Sequence, residues 1–222
     1  ALGANTTADD NTAVGYSALG ANTTGHSNVA MGSGCLDANT TASSSVAIGY
    51  NASTAATTGG ENVAIGIAAL EDNVSGTQNV AVGGYALAND TTGGQTAVGY
   101  QALTTNTTGD YLTAVGYNAL ELNTTGSKNT SFGYKSLEDN TTASFNTAVG
   151  YIALNTNTTG AENTAVGANA LTSNSTGNYN VAMGVNALED NTGNSNVAVG
   201  YKALEENTTG ESNVALGPWA LR

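Results

Sequence analysis

NTAVGYIALNTNTTGAE, residues 146–162, runs straight into NTAVGANALTSNSTGNY, residues 163–179, and the likeness of the two stretches decides the fold. The same unit recurs along the chain, anchored by Gly15, Gly32, Gly49, Gly66, Gly83, Gly99, Gly116, Gly133, Gly150, Gly167, Gly184, Gly200 and Gly217. Ten of the twelve intervals between these glycines are 17 residues and two are 16. A short fixed period predicts a chain wound into stacked coils, each supported by its neighbours.

Within the unit, the position of Thr147 is β-branched in all thirteen repeats and that of Val149 is apolar in all thirteen. Residues two apart lie on the same side of a strand, and β-branched residues favour that conformation. The stretch from Asn11 to Val14 and its equivalents therefore read as short strands, with Thr12 and Val14 directed inward. The glycine after each strand marks a bend or a close backbone approach. A second extended piece is expected to follow and to end at Leu19, a slot that is Leu in every unit but that of Ser53. Leu19 and Val14 would then meet in a narrow core. Asn-Thr-Thr-Gly closes each coil as a turn, since Asn and Thr bond local backbone and Gly supplies positive φ. Both 16-residue units are short in this turn, at Asp90 to Gln95 and at Asn191 to Ser195. Helix is excluded by the recurrent glycine and by the lack of i, i+3, i+4 apolar spacing.

The predicted class is all-β: a parallel β-solenoid of about thirteen 17-residue coils, forming one domain over residues 1–222 with a terminal cap or transition at 217–222, where Gly217-Pro218-Trp219 breaks the pattern. At the strand spacing of about 4.8 Å the coils would build a rod of roughly 60 Å. Asn11, Asn28, Asn62, Asn79, Asn129 and Asn146 would form an amide ladder, and Tyr100, Tyr117, Tyr134 and Tyr151 a stacked ring column.

Between the two inward positions lies a column of small residues: Ala13, Ala30, Ala47, Ala64, Ala81, Ala97, Ala114, Ala148, Ala165, Ala182, Ala198 and Ala215, with Ser131 completing it. If Thr12 and Val14 face inward, these alanines face outward, and a flat column of small residues suits close contact with another chain. A tight corner inside the same coil is the competing explanation. The favoured expectation is an inter-chain interface, a homotrimer about a long axis being one closed solution.

The segments Asn28-Val29-Ala30-Met31-Gly32, Ser45-Val46-Ala47-Ile48-Gly49 and Asn62-Val63-Ala64-Ile65-Gly66 resemble the head repeats of trimeric autotransporter adhesins. The longer unit over residues 163–177 is similar to repeats of phage tail-fibre-like surface proteins. The resemblance implies a parallel β-roll, three chains side by side, displayed at a cell or virion surface to contact host, matrix or glycan. The period is longer than in the adhesin heads because of the Asn-Thr-Thr-Gly turn.

Seventeen acidic residues stand against four basic ones, for a net charge of −13. That balance argues against nucleic acid, which is bound by displacing counterions with basic side chains, and against anionic membrane surfaces. No apolar run approaches the length of a membrane span, so insertion by this segment is not expected. The chain opens and closes at the same phase of the repeat, as Ala1-Leu2 and Ala220-Leu221 show, and reads as a segment of a longer polypeptide or a mature form.

A strict repeat offers the same groups at every level, whereas catalysis needs unlike groups converging at one place. No catalytic residue, metal site or cofactor is assigned. His26 reads as an exposed turn residue and Cys35 as a small apolar substitute in an alanine slot. Glu71-Asp72, Glu138-Asp139, Glu189-Asp190 and Glu205-Glu206 read as a solvated acidic face, lacking the calcium-roll pattern. Asn-x-Ser/Thr at Asn22, Asn39, Asn106, Asn123, Asn140, Asn157 and Asn207 would be exposed glycosylation acceptors in an exported chain. The expected function is a non-enzymatic extracellular structural or adhesive fibre segment. Its alternatives are an end-to-end polymerising filament and, further off, an ice-binding solenoid or a glycan-processing tailspike.

Overall fold

The computed structural model describes residues 1–221. It forms two compact units, Ala1–Tyr111 and Leu112–Arg222. The first contains β1 (Thr12–Val14), β2 (Val29–Met31), β3 (Val46–Ile48), β4 (Val63–Ile65), β5 (Val80–Val82) and β6 (Thr96–Val98). The second contains β7 (Thr113–Val115), β8 (Thr130–Phe132), β9 (Thr147–Val149), β10 (Thr164–Val166), β11 (Val181–Met183), β12 (Val197–Val199) and β13 (Val214–Leu216). Within each unit consecutive strands pair in parallel and in register, as Thr147↔Thr164 and Ala148↔Ala165 illustrate. Each unit is a parallel β-solenoid with one short strand per coil.

The glycine after the strand is required twice over in the third coil. Gly49 has φ +138°, and a Cβ there would lie 2.3 Å from the carbonyl oxygen of Gly66 in the next coil. Neither that backbone region nor that contact is open to any other residue.

The expected second extended piece is absent. Residues after the glycine form a tight turn with left-handed backbone at two positions, Ile152 (φ 47°) and Leu154 (φ 51°) in the β9 coil. This curl points Leu154 inward, and its column of Leu120, Leu137, Leu154, Leu171 and Leu188 is fully buried. Burial of each leucine, about 2 kcal/mol, offsets the left-handed backbone at its own position, about 1–2 kcal/mol. Turns are laddered like strands: Leu154 donates its N–H to Ala170 at 2.9 Å and Gly167 to Val149 at 2.8 Å.

The strands face the opposite way from the sequence expectation. Ala30, Ala64, Ala81, Ala97, Ala114, Ala148, Ala165, Ala182 and Ala198 are fully buried, and Ala47 and Ala215 nearly so. Ala13, in the first coil, is half-buried. The β-branched and aliphatic positions on either side, such as Thr147 and Val149, are half-buried or exposed. The alanine column is therefore a wall of the coil's own core and offers no surface to a second chain. A strand alternates with period two whichever set of residues points inward. The choice is made by volume, because a coil already holding a leucine, a second alanine and two asparagines has room only for a methyl group. The β8 coil proves the contact: Ser131 and Ser136 replace both alanines together, and the Ser131 hydroxyl donates to the Ser136 carbonyl at 2.7 Å.

Candidate interaction surface

Reversing the strands turns a core into a surface. In the second unit Phe132, Val149, Met183 and Leu216 are exposed, beside an outer column of Tyr117, Tyr134, Tyr151, Val185 and Tyr201. Tyr117, Tyr134 and Tyr151 of the tyrosine column stack as expected, with rings 5.4 Å apart for Tyr117–Tyr134 and again for Tyr134–Tyr151. Tyr201 meets Trp219 edge-on at 5.2 Å. In the first unit the same face carries Val14, Met31, Ile65, Tyr16, Tyr50 and Ile67, all exposed. From the first strand residue to the position after the glycine, no coil carries a charged side chain in any of its five positions. Depletion of charge together with exposed aromatic and methionine side chains is the composition of an interface core. The apolar side chains of the second unit expose on the order of 800 Å², the area per partner of a specific interface.

The asparagines are structural, in two ladders. In the first, Asn146 accepts the N–H of Asn163 at 2.9 Å through its side-chain oxygen and donates to Gly160 at 2.8 Å across its own coil. Coil-to-coil continuity is as expected, but it runs from side chain to backbone. The amide-to-amide ladder belongs instead to the turn asparagines. Asn140 donates to Asn123 at 2.8 Å and Asn157 to Asn140 at 3.1 Å, and each also caps its own turn, as Asn157 does at the Gly160 carbonyl (2.9 Å). Asn22, Asn39, Asn106, Asn123, Asn140 and Asn157 are fully buried and Asn207 half-buried. Their expected role as exposed glycan acceptors is therefore overturned: the amide nitrogen that would be modified is spent inside the coil. A buried amide needs its partners, and stacking supplies them at every level.

The acidic corner is partly engaged rather than simply solvated. Glu138 accepts from Lys135 at 2.8 Å, Asn155 at 3.0 Å and Asn118 at 3.4 Å. Burial works to raise its pKa, but these donors outweigh it and hold the carboxyl below its ordinary value. Neighbouring Glu121 is raised, by burial first and by the Glu138 charge second. Lys202 and Glu205 repeat the pair at 2.7 Å. Among the described residues no three metal-ligating side chains come together. Cys35 is buried in its alanine slot, where burial raises the thiol and Sγ donates to the Gly49 carbonyl at 3.3 Å.

On the turn side of the first unit an open groove of about 470 Å³ is lined by His26, Ser43, Ser44, Thr58, Glu61 and Gln78 among others. His26 is exposed there, with Nδ1 3.3 Å from the Ser27 hydroxyl.

The sequence reading missed the apolar sheet face, yet two signals for it were present. One is the charge-free run in every coil. The other is the joint change to serine at 131 and 136, which marks two positions that touch. No family model, curated protein or solved structure matches the chain.

Proposed function

We propose that this chain is a non-enzymatic structural and adhesive segment of an extracellular fibre, at a cell or virion surface, and that it assembles side by side with copies of itself as a homotrimer. The observation that carries the reading is the exposed, charge-free sheet face. Patches of this size on soluble proteins mark association sites. A copy of the same chain is a fitting partner because its side chains recur at the same spacing, so a match at one coil is a match at the next. Closed symmetry about a long axis would cover the face on every chain. No metal or cofactor enters the proposal. The acidic remainder of the surface keeps such fibres apart from nucleic acid and anionic membrane.

Native mass by light scattering across concentration tests this. A constant mass of three chains is the expected result. Val149→Lys with Val166→Lys places charge in the middle of the face and should shift that mass to one chain without loss of β-structure, since both side chains already meet solvent. A wild-type monomer sinks the proposal. A mass that grows with concentration transfers it to an end-to-end filament.

A further inference from the structure

The turn side of each coil holds one position with left-handed backbone. In the second unit it is filled in consecutive coils by Lys128, Phe145, Glu162 and Tyr179, at φ 60°, 64°, 59° and 61°. Left-handed backbone disfavours such side chains by about 1–2 kcal/mol each relative to glycine. The equivalent slot in the coil beginning at Asn79 is Gly94, so the fold accepts glycine there. At Leu154 the same strain is offset by complete burial. At Phe145 and Tyr179 it is not, because those residues are 54% and 58% exposed. Strain kept at an exposed side chain points to use of that side chain.

Backbone bonds hold the row at coil spacing: Phe145 donates to Ser127 at 3.1 Å, Glu162 to Ser144 at 3.2 Å and Tyr179 to Ala161 at 3.1 Å. The backbone positions of Phe145 and Tyr179 therefore lie about 10 Å apart, two strand spacings, with Glu162 between them in the row. Lys128 Nζ lies 4.8 Å from the centre of the Phe145 ring and props it on one side. Thr142, Thr159 and Thr176, all exposed, fill the equivalent position three residues earlier in the same turns. In the first unit the same turn positions line the open polar groove at Ser44, Glu61 and Gln78, where Gln78 donates to Glu61 at 3.0 Å.

We propose that this turn row binds glycan: an extended chain of neutral sugar rings laid along the coils, its apolar ring faces on Phe145 and Tyr179 and its hydroxyls on Glu162 and the threonines. The proposal rests on the adhesive reading above and adds the ligand and the surface. Flat, isolated rings set among hydroxyl, amide and carboxylate groups suit a ligand whose own surface alternates apolar faces with hydroxyls. A peptide adding as a strand would need free backbone donors, and those of this row are used between coils. Net charge of −13 disfavours acidic glycans, nucleic acid and anionic lipid alike.

The test is titration calorimetry of the full chain with cellohexaose, chitohexaose and maltohexaose at low millimolar concentration. At least one should bind saturably and more tightly than its own trisaccharide. Phe145→Ala with Tyr179→Ala should weaken that binding by roughly tenfold or more with the melting transition unchanged, as expected when exposed anchors are truncated. Phe145→Tyr with Tyr179→Phe should retain it. Failure of all three sugars to bind, or equal binding by the alanine variant, overturns the proposal. Native mass separates the two readings: sugar binding lost with assembly retained defeats this inference alone, whereas a monomer that still binds sugar defeats the assembly.

Discussion

The two 16-residue coils, 79–94 and 180–195, lose the same turn residue and repair the loss differently. In the coil from Asn180, Asn191 keeps its place in the turn ladder. It donates to Gly193 at 2.9 Å, and its oxygen accepts from Asn207 at 2.6 Å and from Asn196 at 3.1 Å. In the coil from Asn79 the same slot is Asp90, fully buried. It accepts from Asn106 at 2.6 Å, Thr92 at 3.0 Å and Asn73 at 3.5 Å, and Gln95 reaches back to Thr92 and Gly93 at 3.0 and 3.1 Å. Before each short coil one acceptor is left over: the side-chain oxygens of Asn73 and Asn174 are buried without a hydrogen-bond partner, although Asn73 still donates to Asp90. The ladder thus tolerates either an amide or a carboxylate as acceptor. Only the carboxylate responds to pH.

Burial pushes Asp90 up to about 6, against the opposing pull of its hydrogen bonds from Asn106, Thr92 and Asn73. Its folded pKa lies above the unfolded value of 3.8, so the folded state holds the proton more tightly. Stability from this group is therefore complete below pH about 4 and is lost as pH rises through about 6, by about 3 kcal/mol in all.

The comparison can be broken most forcefully by exchanging the two solutions. Asn191→Asp should lower stability at pH 7.5 by about 3 kcal/mol in urea unfolding, since it buries a carboxylate and removes the donor to Gly193. That loss should fade as the pH is taken down through about 6 to 4; a pH-independent loss would show that the lost donor, not charge, is responsible. The reciprocal change, Asp90→Asn, should gain about 2 kcal/mol at pH 7.5, with the gain gone by pH 4. Equal stability of variant and wild type at both pH values would mean that water or relaxation already solvates Asp90. The smallest effect is expected from length alone. Inserting a serine between Thr91 and Thr92 to restore the 17-residue turn should change stability by less than about 1 kcal/mol, because loop closure depends weakly on length. A larger loss would show that Asp90 and Gln95 are adapted to the shorter turn.

These two coils also show how far the repeat could be read. Their deletions fall in the turn, where the pattern located them, and the strands on either side keep register, as Val80↔Thr96 and Val181↔Val197 show. The burial of Asp90 was not legible, because Asn-Asp-Thr-Thr-Gly has the composition of an exposed loop. Nothing local reveals that its aspartate, and not the exposed Asn89 before it, turns inward to an amide ladder built from other coils. Asn157 was read as an exposed acceptor for the same reason.

By itself the sequence determined the period, the thirteen strand positions, the obligatory glycine, the turn and the stacking of like on like, since each follows from backbone geometry or from repetition. Only the tertiary structure decided which side of the strand faces inward. Alanine on one side and valine or threonine on the other are both compatible with burial, and the alternation is blind to direction. The narrow coil admits the smaller set, and the larger set is left outside as the face from which the assembly is proposed.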